Sequence, residues 1–592
     1  MSDNEIIVGL SSILVLGIGA QWIGRRVRIP SLLLLLPAGI LSGDVLGLVE
    51  PQELFGDMLF PLVTLLLSLL LFQSGLQLRV ADLPKGSRRS VARLVTIGLI
   101  ITFVGGSITA MLILGLPREL AFVTGAILSV SGPTVVGPIL ETVRPREPLG
   151  SVLRWEGTTL DPLGATIGVI VMNLVLRPDG TEIHPLVQLA GRLGLGVVVG
   201  AIAAAVLVFV MSRFLLTDDM EASVAVLFAV AAFAIAEIGL SEAGLFAATT
   251  MGIVVANQRL VKIDRITGFG ETLDVLVIGT LFIVLGALIA IDDLVEYALP
   301  SLGIATVLVL VVRPLTAAVS LLKTPLTTRE RVFVAWMDPR GIVAAATAAQ
   351  FALQLADKGY DVTFMLPVVF GVIITTGVIY GLSAKPVARA LGVARAAPRG
   401  IGLFGDDPWL ASFGHALVTA GVPTVLIVSS EAERAGKVED DEMVTVSLHG
   451  SAVAVDEAME QADLAKVLVS FHPGAVHSVF VARLTEHVGR RHVLLLPDEV
   501  PTIGGVSDPW TPRPFGGRLT RTELDRRLGE GWTIAPGAST DDSVDGSEPL
   551  AVVHEDGTID LDPRRSTSQP ADVVIALIPP GPARPVGYGG RS

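Results

Sequence analysis

The feature that most limits what this chain can fold into is a succession of apolar runs, each about as long as a bilayer crossing. A helix needs roughly 17–25 apolar residues to cross hydrocarbon. Runs of that kind lie near 4–23, 30–49, 56–78, 92–115, 119–142, 150–176, 186–214, 221–239, 243–258, 271–291, 298–322, 330–355 and 364–384. Only helices and closed barrels satisfy every backbone polar group within lipid, and runs of this length select helices. The pattern predicts an all-α polytopic membrane protein of about thirteen spans over residues 1–390. The first run is too long for a signal-peptide core and lacks a cleavage-type sequence, so it is read as a retained span. Past residue 390 the runs stop and the chain reads as soluble. The mean hydropathy of +0.67 therefore averages two unlike parts.

Charge orders the spans. Odd-numbered loops carry Arg25, Arg26 and Arg28, then Arg79, Lys85, Arg88 and Arg89, and later Arg259, Lys262 and Arg265. The even-numbered loops are acidic or bare. With flanking residues included, bases divide about 22 to 4, which predicts an N-terminus outside and a C-terminus in the cytoplasm. Beyond residue 390 stand 28 of the 57 acids and 17 of the 43 bases, so that part holds −11 of the net −14. An acidic tail argues against nucleic acid and against docking on anionic lipid. With no cysteine there is no disulfide and no thiolate-held metal. No phosphate-loop, kinase or zinc spacing is present, so nothing points to ATP-driven pumping or metal hydrolysis, and no cofactor is expected.

Two runs at membrane depth carry the chemistry: Ser129-Val130-Ser131-Gly132-Pro133-Thr134 and Glu156-Gly157-Thr158-Thr159-Leu160-Asp161-Pro162. A charged side chain at the bilayer centre costs about 2.5–3.5 kcal/mol, so intramembrane acids mark an ion or proton pathway unless they serve only to pair. At about 100° per residue, Thr158 and Gly157 share the helix face of Asp161, while Glu156 points well off it. Pro133 frees nearby carbonyls, and Ser131 and Thr134 add hydroxyls. Hard cations favour such oxygen ligands. Two more charged breaks lie late in the chain: Arg313-Pro314 in the eleventh run and Asp338-Pro339-Arg340-Gly341 in the twelfth. Broken helices seven spans apart, at Pro133 and Pro339, have opposite orientation. They point to inverted repeats with a binding site at the midplane. Asp338 is a possible second titrating acid.

Residues 1–390 resemble the cation–proton antiporter superfamily, specifically its NhaP-type sodium/proton exchanger branch. Leu71-Phe72-Gln73-Ser74-Gly75-Leu76 resembles a family pattern with Glu at the third place, and Ser131-Gly132-Pro133 stands where Thr-Asp-Pro is frequent. Glu156 to Asp161 resembles the family's Glu-x-x-x-Asn-Asp signature. Gly244 to Asn257, Arg313-Pro314-Leu315, Trp336 to Gly341 and Gly377 to Leu382 match later stretches. The resemblance implies a dimeric, elevator-type exchanger of thirteen spans in which Asp161 carries either a proton or a monovalent cation, Na⁺ or K⁺. It implies that Glu156 is paired with Arg313 or Arg340 and that Ser131 supplies a hydroxyl from an unwound segment. Leu160, Gly157, Gly132 and Gln73 replace Asn, Ser, Asp and Glu of the family pattern. The site thus holds fewer acids, and ligation passes to Thr158, Thr134 or carbonyls.

The tail begins with a short basic linker, Val393 to Arg399. Strands are expected at Gly402 to Gly405, Pro423 to Val428, Val467 to Val469 and Val493 to Leu496, with a helix over 409–420. This alternation predicts a cytosolic, doubly wound α/β, Rossmann-like domain over 391–505. It resembles the TrkA/RCK-type regulatory domains of potassium channels and transporters. Where a glycine fingerprint is expected stands Gly405-Asp406-Asp407-Pro408-Trp409-Leu410, and an acid is lacking at Ser429 or Ser430. Asp407 would repel a pyrophosphate, so no tight dinucleotide binding is expected, leaving room for an unknown small ligand. Residues 506–592 read as a small β-containing segment with strands near Leu550 to His554 and Val573 to Ile578, followed by a disordered end.

The function these residues imply is secondary antiport of Na⁺ for H⁺ across the cytoplasmic membrane, electroneutral if Asp161 alone titrates. Potassium/proton exchange under the tail's control is the alternative within that class. A gated cation channel lacks a filter-like repeat, and a non-transporting sensor would not need an intact Asp161.

Overall fold

The computed structural model describes residues 2–27, 29–84, 86–176, 185–394, 399–428, 443–447, 464–470, 484, 488, 492–496, 514–517, 519–537, 546–555, 557–562 and 572–580. The chain forms two compact units, Met1–Arg395 and Ala396–Ser592.

The first unit is helical. Its principal helices are α1 (Asp3–Val27), α2 (Leu32–Val45), α3 (Pro51–Leu76), α4 (Arg88–Leu114), α5 (Arg118–Leu128), α6 (Pro133–Val143), α7 (Leu149–Leu176), α8 (Pro185–Ser212), α9 (Glu221–Gly239), α10 (Ala243–Asn257), α11 (Asp264–Gly286), α12 (Ala298–Ser320), α13 (Thr328–Trp336), α14 (Ile342–Ala356) and α15 (Met365–Leu391). Among the described residues, nine of these are long and apolar enough to cross a membrane, fewer than the thirteen runs drawn from the sequence. The shortfall has a local cause. Helices α2, α10 and α14 are apolar but short, and the fifth and twelfth runs are each split in two. Side chains such as Leu112, Ile202 and Leu299 point outward, as hydrocarbon requires.

Small residues let the helices approach. A Cβ on Gly252 of α10 would lie 2.2 Å from the Phe72 carbonyl oxygen of α3, and one on Gly200 of α8 would lie 2.3 Å from the Ala247 carbonyl oxygen of α10. Between membrane helices, where water drives no association, this close packing is the main attraction.

The breaks follow from proline. A residue preceding proline is pushed out of the α region. Gly132 accordingly takes φ −89°, ψ 130°, and Pro133 opens α6 at its first position, where its missing N–H costs nothing. The interruption is therefore the stretch 129–132, ending before Pro133 rather than centred on it. In the twelfth run α13 starts with a Thr327–Glu330 capping box and stops at Trp336, and the non-helical stretch 337–341, extended at Met337 and Gly341, precedes α14.

In the second unit, β1 (Gly400–Phe404), β2 (Thr424–Val428), β3 (Val444–Ser447), β4 (Leu464–Val469) and β5 (Val493–Leu495) form a parallel sheet in the order β3-β2-β1-β4-β5. Every residue of β1 and β2 is buried, as a parallel sheet covered on both faces demands. Helix α16 (Pro408–Thr419) follows β1. After α17 (Arg521–Gly529), the strands β6 (Thr533–Gly537), β7 (Glu548–Val553), β8 (Ile559–Asp560) and β9 (Val573–Ile578) form an antiparallel sheet, β6-β9-β7-β8. The two sheets share one core, in which the Phe515 ring meets Phe413 and Trp409 edge-on at 5.7 and 6.1 Å. Ser429 and Ser430, and the acids Asp541, Asp542 and Asp545, lie outside the described residues.

Candidate cation site

Helix α7 carries both acids of the Glu156–Asp161 run, and its glycines show which way Asp161 faces. Gly164 and Gly168 stand three and seven positions after Asp161, on the same face. A Cβ on Gly164 would lie 2.6 Å from Val130 Cγ2 and 3.2 Å from Val130 Cα; one on Gly168 would lie 2.9 Å from Phe351 Cε2 of α14. The Asp161 face thus packs against the first break and against the helix after the second. Small residues four apart are a readable sign of close helix approach. Gly164 and Gly168 at that spacing mark the contact in the sequence itself.

Asp161 has 0% of its surface exposed, and neither carboxylate oxygen has a hydrogen-bond partner among the described residues. Thr158, on the same face, and Ser131, in the break, are also buried. Thr134 lies in the first turn of α6, but its side chain is outside the described ones.

Four other buried charges, Glu156, Arg313, Asp338 and Arg340, are matched with one another. Arg313 of α12 holds Glu156 through two hydrogen bonds, Nη1 to Oε1 at 2.6 Å and Nη2 to Oε2 at 3.0 Å, and its Nε donates to the Val334 carbonyl at 2.8 Å. Of the two arginines open as partners for Glu156, Arg313 fills that place. Arg340 does not, because it is bound elsewhere. Its Nη2 donates to Asp338 Oδ2 at 2.7 Å, its Nη1 donates to the Val130 carbonyl at 3.2 Å, and its backbone N–H meets Thr376 Oγ1 at 3.4 Å. Asp338 Oδ1 lies 4.0 Å from Arg313 Nη1. Asp338, the possible second acid, is therefore held by one arginine and faces another.

Two anions and two cations thus form one network running through α7, α12 and both breaks. Arg340 brings positive charge to the Val130 carbonyl, two residues past the carboxyl end of α5, where the helix dipole favours a cation. A bidentate guanidinium–carboxylate pair is among the stronger charge-assisted contacts. Among the described residues Asp161 is left over: a carboxylate on the helix face that packs against interrupted backbone, with buried Thr158 on the same face and no ion-pair partner. Such a group can hold either a proton or a small cation. Gln73 of α3 is also buried, with its Oε1 unpartnered among the described residues, and Gly270 of α11 leaves room for it, since a Cβ there would lie 1.9 Å from that oxygen.

Known proteins are similar to this chain in sequence and fold. The K⁺/H⁺ antiporter NhaP of Alkalimonas amylolytica is 27% identical over 395 residues, which is 66% of this chain and 67% of that protein. The Na⁺/H⁺ antiporter 1 of Methanocaldococcus jannaschii is 26% identical over 363 residues, 58% of this chain and 83% of that protein. The structure of the sodium proton antiporter MjNhaP1 from Methanocaldococcus jannaschii at pH 8 superposes with a TM-score of 0.57 at 24% identity. It covers 65% of this chain and 99% of that one, a likeness of fold. The profile of the transmembrane sodium/hydrogen exchanger family matches residues 10–390, and the chain belongs to that family.

Proposed function

We propose that the chain is a secondary antiporter that exchanges a monovalent cation for protons at Asp161. The observation that carries this reading is the charge inventory of the site: Glu156, Asp338, Arg313 and Arg340 neutralise one another, while Asp161 has no hydrogen-bond or ion-pair partner among the described residues. An unpaired buried charge persists where function needs it. In the cycle Asp161 releases its proton to one side and takes a cation there, with Ser131, Thr158, Thr134 and the carbonyls of 129–132 completing an oxygen shell. The loaded carboxylate then faces the other side and exchanges the cation for a proton. Because the arginine–carboxylate network joins α7 and α12 to both breaks, these elements move together, as an elevator requires. The membrane unit has thirteen crossings in two inverted halves, with the N-terminus outside the cytoplasmic membrane and the C-terminus within. It works as a homodimer.

Sodium is the first reading of the cation, from the exchanger family itself. Potassium is the second, supported by the neutral Gln73 and Gly132 at places where the family can carry acids and by the potassium/proton relative. The second unit, with strand order 3-2-1-4-5, is a degenerate Rossmann-like, TrkA/RCK-type regulatory domain over 391–505, completed by the β-rich segment 506–592.

The test is flux into proteoliposomes under an imposed proton gradient, with Na⁺, K⁺ and Li⁺ in turn. Saturable, gradient-coupled exchange that vanishes in Asp161→Asn, with the variant still folded and inserted, is expected. Normal exchange in Asp161→Asn eliminates the mechanism, and flux that neither saturates nor follows the proton gradient identifies a channel.

A further inference from the structure

The second unit contains a polar cluster that transport does not use. At the carboxyl end of β1 the backbone of Gly405 runs so close to β4 that a Cβ would lie 2.3 Å from the Ser470 carbonyl oxygen, so only glycine fits there. Asp406 and Asp407 then lead into α16, which Pro408 opens. The Asp407 side chain does not cap that helix. It turns toward the end of β4, where one carboxylate oxygen accepts from Ser470 Oγ. The other accepts from Arg521 Nε at 2.8 Å and lies 2.8 Å from Arg521 Nη2. Asp407 and Ser470 are buried, and the Arg521 side chain is 17% exposed, so this is not a surface ion pair. Asp525, one turn on from Arg521, is the third charged group here. Burial pushes its carboxyl up, Asp407 adds to that, and Arg521 opposes it.

The position of the cluster is informative. With β2 and β3 on one side of β1 and β4 and β5 on the other, the strand order reverses between β1 and β4. In open parallel sheets, ligands bind outside the carboxyl ends of the strands at that reversal, with phosphates at the start of the helix after the first strand. Here a guanidinium and a hydroxyl, donors suited to a phosphate, converge at that place, and the anion between them is the chain's own.

We infer that the Asp407 carboxylate is a built-in anion occupying the phosphate subsite of a nucleotide-type crevice, and that its pair with Arg521 fastens the second sheet to the first. The crevice accepts a diphosphate only when that carboxylate is removed. This inference rests on the Rossmann-like reading of the strand order and is independent of the transported cation.

The test titrates inorganic pyrophosphate into the purified full-length protein by calorimetry. Wild type is expected to bind nothing up to millimolar concentration, Asp407→Ala to bind at least tenfold more tightly than that limit, and Asp407→Ala with Arg521→Ala to lose the gain. If Asp407→Ala does not fold, the near-isosteric Asp407→Asn carries the same comparison. Wild-type binding as tight as the variant's, a folded variant that binds no pyrophosphate, or a gain that survives loss of Arg521 each overturns the inference. In all three cases Asp161-dependent exchange is measured separately and is unaffected by the outcome.

Discussion

Removing the Glu156 carboxylate should cost the membrane unit much of its stability. In the structure Arg313 makes three hydrogen bonds, two to Glu156 and one to the Val334 carbonyl, and its other anion among the described residues, Asp338, is 4.0 Å away and already holds Arg340. Glu156→Ala leaves a buried guanidinium with one carbonyl and half of a shared carboxylate. Breaking a buried pair from one side costs about 3–5 kcal/mol. A protein of 150–250 residues loses about 2–4 °C of melting temperature per kcal/mol. At the lower slope suited to a unit of this size, the expected fall is about 6–10 °C. Thermal unfolding of the purified protein in detergent reads this out. The double variant Glu156→Leu with Arg313→Met removes both charges, leaves Asp338–Arg340 intact and should recover most of the loss, since apolar replacement of a whole buried pair is often neutral. A Glu156→Ala protein melting with wild type refutes the reasoning. So does a double variant whose loss equals the sum of the singles, because coupled partners cannot be additive.

Asp161→Asn, while inactive, should melt above wild type, because it deletes an uncompensated buried charge; a lowered melting temperature would mean that Asp161 has a partner. Exchange should be electroneutral, one proton per cation, since Asp338 is engaged by arginine; a steady transport current on a solid-supported membrane would reinstate Asp338 as a second titrating acid. Gly164→Ala should lower exchange and cost about 1–3 kcal/mol by pushing the Val130 backbone away from α7, read as a reduced maximal flux together with a lower melting temperature. Deleting residues after about 400 should leave gradient-coupled flux measurable with altered pH or ligand dependence; loss of all flux in an inserted, dimeric truncation would show that the tail is part of the transport machinery.

Much of this protein is set by local chemistry and can therefore be read from the sequence alone. Apolar runs of bilayer length cannot avoid being helices in lipid, so the membrane part and its end near residue 390 were visible in the hydropathy. The breaks at 129–132 and 337–341 were visible because proline constrains the residue before it wherever it occurs. Asp161 stood out because an acid at that depth is costly in any packing. The alternation of buried strands with turn residues likewise announced the sheet of the second unit. Partnership was not legible, since it depends on residues far apart in the chain. Glu156 and Arg313 are 157 residues apart, and nothing local chose Arg313 over Arg340. That choice came from packing, which brings α12 against α7 and places Arg340 between the Val130 carbonyl and Asp338. The same holds for Asp407 and Arg521, 114 residues apart. The sequence showed a carboxylate misplaced in a glycine fingerprint, and the tertiary structure supplied its guanidinium, because only folding sets the carboxyl ends of β1 and β4 beside the first turn of α17.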